Sequence, residues 1–464
     1  MVINRRDQAL RWFRLHVIRN PARMLVISFI SLISVGTISL MLPQSSTSTP
    51  LRFVDALFTI TSGSCVTGLT VFDVGTQLTH FGQIVLLLVI QLGGLGILTF
   101  STFFILIVGG SISFRGHNLL QETFSQQPMA DFGALLKSII VVTLGIELTG
   151  ALLLYLRFRQ FHPPATAAYY SVFHSISAFC NAGFSLYPDN FVRFQSDWYF
   201  NLIVCALIVA GGLGFVVHYD LADFVFRRHR RRGTTLNFHT RLTLIVTSIL
   251  IIGGTAGFFF LEFGNILRPL DWPTKVIVSL FHSITPRTAG FNTVPFNQLN
   301  SGTLFFIIML MFIGGSSGSC AGGIKTSTFA VFVGLAWARF RDQQEVNLLK
   351  RRIPESVVSK AVSVTLFAML VIVFFTFVLL QSELGSIALR QTRREFLEIL
   401  FETTSAFGTV GLSTGVTSTL TNLGKVAITL VMFLGRVGPL TVAIAVSKAV
   451  TRRYKYASET FLVG

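Results

Sequence analysis

Leu57-Phe58-Thr59-Ile60-Thr61-Ser62-Gly63-Ser64-Cys65-Val66-Thr67-Gly68-Leu69-Thr70 is the stretch whose reading decides the fold. Its first six residues read as the end of a short helix, and the rest is a small-residue segment that closes on one glycine. The pattern returns three times. The helix ends are Val172-Phe173-His174-Ser175-Ile176-Ser177, Leu280-Phe281-His282-Ser283-Ile284-Thr285 and Leu400-Phe401-Glu402-Thr403-Thr404-Ser405. The loops are Cys180-Asn181-Ala182-Gly183-Phe184-Ser185, Arg287-Thr288-Ala289-Gly290-Phe291-Asn292 and Gly408-Thr409-Val410-Gly411-Leu412-Ser413. Four extended loops without a carboxylate point to backbone carbonyls gathered about a common axis, which is how a dehydrated alkali cation is held.

The rest of the chain is built to surround such loops inside a membrane. Of 464 residues, 52% are hydrophobic and only 12% charged, against roughly 25% charged in soluble domains. Eight long apolar segments, at 24–42, 81–108, 134–156, 198–219, 242–263, 303–338, 357–380 and 423–447, each approach or exceed the ~20 residues that cross a bilayer. They come in pairs. Between the members of each pair lies a segment too short to cross, at 51–62, 165–179, 273–284 and 392–406, which reads as a re-entrant half-helix ending at a glycine loop. The expected unit is span, half-helix, loop, span, repeated in one orientation over 24–109, 134–226, 241–338 and 356–450 within a single all-α transmembrane domain, 1–464.

The net charge of +17 follows topology, not nucleic-acid binding. Segments 1–23, 110–137, 227–241, 339–360 and 448–464 hold most of the 37 Lys and Arg, so the positive-inside rule places both termini in the cytoplasm. The protein is expected in the plasma (inner) membrane, with Arg227-Arg228-His229-Arg230-Arg231-Arg232 as an anchor beside anionic lipid headgroups. The basic start and the apolar run from Met24 read as a retained first span, since the run is too long for a signal-peptide core. Cys65, Cys180, Cys205 and Cys320 show neither CxxC pairing nor zinc spacing.

Carbonyl oxygens replace a potassium ion's water without holding it as tightly as carboxylates would. The candidate potassium ligands are Val66, Thr67 and Gly68, Asn181, Ala182 and Gly183, Thr288, Ala289 and Gly290, and Thr409, Val410 and Gly411. Glycine relieves the Cβ restriction on φ there. The partial negative ends of four half-helices converge beneath and favour cations. The later span of the third unit is broken by Gly314-Gly315-Ser316-Ser317-Gly318-Ser319-Cys320-Ala321-Gly322-Gly323, followed by Ile324-Lys325. Irregular backbone at membrane depth is tolerated where protein buries it or a water path passes it, and this run reads as a barrier across the pore. Arg436, on the order of 20 Å below the loop glycines at ~1.5 Å per helical residue, lies roughly level with it and should face water or carbonyls.

Other features carry less. Gly93, Gly94, Gly211 and Gly212 permit close helix packing, with a pore-facing role second. His174 and His282 read as locally hydrogen-bonded, not as metal ligands. Glu147, a carboxylate inside a span, is either structurally paired or functional. Gly93 to Gly96 lacks the βαβ context of a dinucleotide fingerprint. An alternating-access carrier of another solute would show inverted repeats, and an enzyme would show a clustered nucleophile, acid-base pair or metal set. Neither signature is present in the sequence, and no cofactor is expected in this chain.

Taken together, Val66-Thr67-Gly68-Leu69, Asn181-Ala182-Gly183-Phe184, Arg287-Thr288-Ala289-Gly290-Phe291-Asn292-Thr293, Gly408-Thr409-Val410-Gly411-Leu412-Ser413-Thr414-Gly415, the run ending at Lys325, and Gly435-Arg436-Val437-Gly438-Pro439 resemble the Trk/Ktr/HKT superfamily of potassium transporters, most of all the Ktr-type membrane subunit. The resemblance covers nearly the whole chain. It implies four membrane-pore-membrane units around one pseudo-fourfold pore, a homodimer, and a cytoplasmic ring of nucleotide-binding regulatory subunits. It also implies that the broken-span loop gates the pore, with Lys325 and Arg436 taking part. Relatives with serine at the first filter glycine favour sodium, so Gly68 resembles the potassium-selective pattern. A sodium-coupled or poorly selective cation transporter of the same fold is the alternative. Ser317 departs from the proline of some relatives. The lack of extra spans before Met24 and the short tail are the Ktr-like pattern.

Overall fold

The computed structural model describes residues 21–95, 132–228, 235–385 and 395–438, together with Thr441. Helices α1 (Pro21–Leu40), α2 (Phe53–Ser64) and α3 (His80–Gly94) come first, then α4 (Phe132–Phe158), α5 (Pro164–Phe179), α6 (Trp198–Leu213) and α7 (Phe215–Arg228). After them come α8 (Phe238–Glu262), α9 (Trp272–Ile284), α10 (Ser301–Phe312) and α11 (Thr326–Phe340). A two-residue hairpin pairs β1 (Asn347–Leu348) antiparallel with β2 (Arg351–Arg352), and α12 (Glu355–Leu384), α13 (Glu395–Gly408) and α14 (Asn422–Val437) complete the order.

Among the described residues, α1, α4, α8 and α12 are each long and apolar enough to cross a membrane. Leu144, Leu148 and Leu152 on α4, and Leu366, Leu370, Val373 and Phe377 on α12, form exposed stripes at helical spacing. Apolar stripes of this length are stable only against an apolar medium, and the protein is a multi-pass membrane protein. α2, α5, α9 and α13 are 12, 16, 13 and 14 residues long, or roughly 18–24 Å at ~1.5 Å per residue. That falls short of a ~30 Å hydrocarbon core.

The C-terminal halves of these short helices are buried although they are rich in Ser and Thr. Back-bonding to the preceding turn satisfies one hydroxyl in each: Thr59 donates to Asp55 O at 2.8 Å, Ser171 to Ala167 O at 2.6 Å, Ser279 to Lys275 O at 2.7 Å and Thr403 to Ile399 O at 2.8 Å. The phenylalanine that recurs in the repeated hexapeptide, Phe58, Phe173, Phe281 and Phe401, is fully buried in all four copies.

Two of the expected spans are not straight helices. The stretch 198–219 bends by 101° between α6 and α7, because Gly214 leaves the helix at φ 91°, ψ 147° and the Phe215 N–H donates to Gly318 O at 3.0 Å. The stretch 303–338 is divided into α10 and α11 by the glycine-rich run. The spans expected at 81–108 and 423–447 extend beyond the described residues, as do the ends of the first and fourth repeats at 109 and 450, residues 229–232 of the basic run, and both termini.

Candidate functional site

Each short helix delivers three residues of the same alternating hand. The residue two before the glycine has positive φ (Val66 56°, Asn181 60°, Thr288 69°, Thr409 50°), and so does the glycine itself (Gly68 98°, Gly183 71°, Gly290 76°, Gly411 88°). Thr67, Ala182, Ala289 and Val410, between them, do not. Positive φ is a true outlier for β-branched residues and costs on the order of 1–3 kcal/mol where the surroundings impose it. Here it is imposed at Val66, Thr288 and Thr409.

The four loops meet in a closed ring. A Cβ on Gly68 would lie 2.6 Å from Ala182 O, one on Gly183 3.0 Å from Ala289 O, and one on Gly290 2.6 Å from Val410 O. A Cβ on Gly411 would meet Thr67 O and lie 2.9 Å from Gly68 Cα. Every carbonyl before a glycine therefore abuts the glycine of a neighbouring loop, and a side chain at any of the four has to displace its neighbour.

The last hydroxyl of the repeated hexapeptide fixes each loop. Its carbonyl accepts from the residue before the glycine in all four units: Thr67 N to Ser62 O at 2.7 Å, Ala182 N to Ser177 O at 2.7 Å, Ala289 N to Thr285 O at 3.0 Å and Val410 N to Ser405 O at 2.8 Å. Its side chain divides the units into two pairs. Ser62 and Ser405 accept from the N–H of Gly68 and Gly411 at 3.0 and 3.1 Å, whereas Ser177 and Thr285 donate to Phe184 O and Phe291 O at 2.8 and 2.6 Å.

The second glycine row brings the later helices onto the short ones. A Cβ on Gly93 would strike Ser64 O, one on Gly211 Phe179 O, and one on Gly435 Phe407 O, all at the C-terminal ends of short helices. These glycines are packing positions. In the third unit Gly314 instead faces Gly322 O within its own loop.

That loop is folded and pinned. Gly314 N donates to Ile324 O at 2.8 Å and Thr326 N to Gly315 O at 3.0 Å, while Ser316 N and Cys320 N reach Gly212 O and Gly211 O at 2.9 and 3.2 Å. The hydroxyl of Ser319 donates to Ser316 O at 2.7 Å, and Ser317 shares a 3.1 Å bond with Ser327. Gly322 and Gly323 lie against Thr409 and Gly408, directly under the fourth loop. Gly318 takes φ 72° and gives its carbonyl to Phe215. Lys325 precedes the first turn of α11, and its Nζ donates back to Ala321 O at 2.7 Å. Buried Arg436 donates through one nitrogen to Cys320 O and through the other to Gly93 O at 2.5 Å, which ties α14, the loop and α3 together. Carbonyls offset part of the ~2.5–3.5 kcal/mol cost of an arginine at this depth.

Glu147 accepts from Gln91 Nε2 at 3.2 Å and from the Cys180 thiol at 3.7 Å. His174 is bonded to Tyr170 O, Ser185 and Leu186 N, and His282 is bonded to Val278 O and stacked on Phe258. Sequence reasoning passed over Glu402, which stands where the second and third units have these histidines. Its buried carboxylate accepts from Ser413 at 2.5 Å, Thr417 at 2.8 Å and Thr414 N at 3.0 Å, holding the segment after the fourth glycine. The signal was its position inside the repeated hexapeptide. Glu262 plays a similar part at the end of α8, accepting from Asn300 N and Thr303.

The chain matches known cation transport proteins over nearly its whole length. Residues 8–453 match the TrkH family model, described as a cation transport protein. The chain is 38% identical to the Ktr system potassium uptake protein B of Bacillus subtilis (strain 168), covering 99% of both chains. It is 34% identical to the potassium/sodium uptake protein NtpJ of Enterococcus hirae, over 96% of this chain and 97% of that one. Its fold is similar to the crystal structure of the potassium transporter TrkH from Vibrio parahaemolyticus, with TM-score 0.72 over 91% of this chain and 83% of that one at 17% identity.

Proposed function

Because the chain belongs to the TrkH family of cation transport proteins, we propose that it takes up potassium through a selectivity filter made of its four glycine loops and gated by the loop of the third unit. The observation that carries the reading is the closed ring in which each pre-glycine carbonyl abuts the next glycine. A potassium ion entering from outside exchanges its water for the carbonyls of Thr67, Ala182, Ala289 and Val410 and of the residues on either side of them. The C-terminal ends of α2, α5, α9 and α13 supply negative potential beneath the ring. Passage then requires the 314–323 loop to move away from Gly408 and Thr409, which breaks the bonds from Arg436 to Cys320 and from Lys325 to Ala321. Four membrane-pore-membrane units about one pseudo-fourfold axis, a homodimer, a cytoplasmic nucleotide-binding regulatory ring, cytoplasmic termini and the inner membrane complete the proposal. Its support is the likeness to Ktr-type proteins.

A second reading, uptake of sodium with or beside potassium, is favoured by the likeness to a protein described as a potassium/sodium uptake protein. Expression in a bacterium lacking potassium uptake, together with a Ktr-type regulatory subunit, separates the two. Restored growth at low potassium with rubidium uptake that excess sodium leaves unchanged is expected. Sodium flux comparable to rubidium flux selects the second reading, and no cation flux overturns both. Gly68→Ser is expected to raise the sodium-to-potassium flux ratio about tenfold, the equivalent of ~1.4 kcal/mol in discrimination.

A further inference from the structure

Beside the 314–323 loop, the third unit carries a groove of ≈ 410 Å³ between α8, α11 and the β1–β2 hairpin. Its walls include Ile245, Ile249, Phe329, Val333, Trp337 and Leu348, and Ile249, Val333 and Trp337 are themselves well exposed. Along α8 the lining runs from Leu242 to Leu250, about 12 Å of helix at ~1.5 Å per residue. That approaches the ~15 Å of hydrocarbon in a single leaflet, half of a ~30 Å core.

One end of the groove, at the C-terminal turn of α11 and the hairpin, carries cations. The Arg341 guanidinium lies 4.7 Å from the centre of the Trp337 ring, and the hairpin turn presents Lys350 and Arg351 to solvent. Glu345 neutralises Arg352 through a 3.0 Å ion pair, and over 339–355, with Asp342 and Glu355 counted, the balance is positive. Tryptophan beside arginine at the end of an apolar helix is the arrangement found at the level of lipid headgroups.

We propose that this groove binds an anionic phospholipid, with an acyl chain between α8 and α11 and the phosphate held by Arg341 and the hairpin. An acyl chain suits the length and apolar wall of the groove, and the phosphate suits the cations at one end alone. A neutral occupant would leave that charge unmatched. The site touches the gate region from outside: α11 begins immediately after Lys325, and Thr243, next to the lining residue Leu242, shares a 3.3 Å hydroxyl bond with Ser316 of the gate loop. An occupied groove therefore braces α11, which follows the loop, against α8, which is bonded to it.

The test measures lipid, so it does not depend on the transport reading. The full chain is purified from membranes, exchanged into detergent, and its bound lipid quantified by mass spectrometry, then reconstituted in nanodiscs with spin-labelled phosphatidylglycerol or phosphatidylcholine. About one phosphatidylglycerol per chain is expected to survive washing, with an immobilised phosphatidylglycerol signal severalfold above that of phosphatidylcholine. Val333→Trp, and independently Ile249→Trp, should lower retained lipid at least fivefold while the elution profile and thermal midpoint stay unchanged. Arg341→Gln with Lys350→Gln should leave an acyl chain bound but remove the preference between the two headgroups. No retained lipid in the wild type, or equal retention in both tryptophan variants, overturns the proposal. So does loss of a dimer in Val333→Trp without loss of lipid, which assigns the groove to a second copy of the chain.

Discussion

The ring of glycine loops and the third-unit loop beneath it are held differently. In the ring, hydrogen bonds stay inside one unit: Ser62, Ser177, Thr285 and Ser405 each hold their own loop. In the third-unit loop, bonds within the unit are joined by others between units, from Ser316 to Gly212, from Phe215 to Gly318, and from Arg436 to both Cys320 and Gly93. On the proposed function, selection needs equivalent ligands that stay put, and local bonds repeated four times would provide them. Control needs one element whose bonds respond when the units shift, and bonds between units would do that.

The sharpest way to break this comparison is to replace the ring glycines one by one. Gly68→Ala, Gly183→Ala, Gly290→Ala and Gly411→Ala each force a Cβ onto a neighbouring loop at a positive φ. Each should cut rubidium uptake on the order of a hundredfold, about 2.7 kcal/mol. A single tolerant position would show that the ring is not fourfold in function. Next in size, removal of 316–322 should raise uptake without the regulatory subunit about tenfold; unchanged uptake would remove the gate from the comparison.

Smaller effects sharpen it. Arg436→Gln shortens the side chain that ties Cys320 to Gly93, and should raise regulator-independent rubidium flux a few-fold. It should also lower thermal stability, since a buried carbonyl left unpaired costs ~1–3 kcal/mol. A flux below wild type would assign Arg436 to conduction, not to closure. The finest distinction lies inside the ring. Ser62→Ala and Ser405→Ala leave a buried glycine N–H without its acceptor, whereas Ser177→Ala leaves a carbonyl with a spare lone pair. Orphaned N–H groups are the rarer and costlier case, so the first two should destabilise the potassium-bound protein by about 1–2 kcal/mol and Ser177→Ala by less than ~1. Thermal unfolding in potassium measures the order, and its reversal would place the key bonds elsewhere.

Much of this was legible because the units repeat. The hexapeptide with its buried phenylalanine and terminal hydroxyl marked the short helices, and 12–16 residues followed by a small loop cannot cross a bilayer. Gly314 to Gly323 advertised a helix break. The 101° bend at Gly214 was not legible, since Ala210-Gly211-Gly212-Leu213-Gly214 looks like its counterpart near Gly93. What turns the chain there is a carbonyl of the third unit's 314–323 loop, some hundred residues away. Glu402 was hidden for a similar reason, because its partners Ser413, Thr414 and Thr417 come after the loop it supports.

The amino-acid sequence by itself determined the membrane class, the four short helices and the positions where only glycine fits, because hydropathy, segment length and the Cβ restriction on φ are properties of local chain. The tertiary structure alone decided which carbonyl faces which glycine, that Arg436 ends on Cys320 and Gly93, and where a groove opens between α8 and α11. Those are contacts between units, set by how separate helices pack, and no spacing along the chain encodes them.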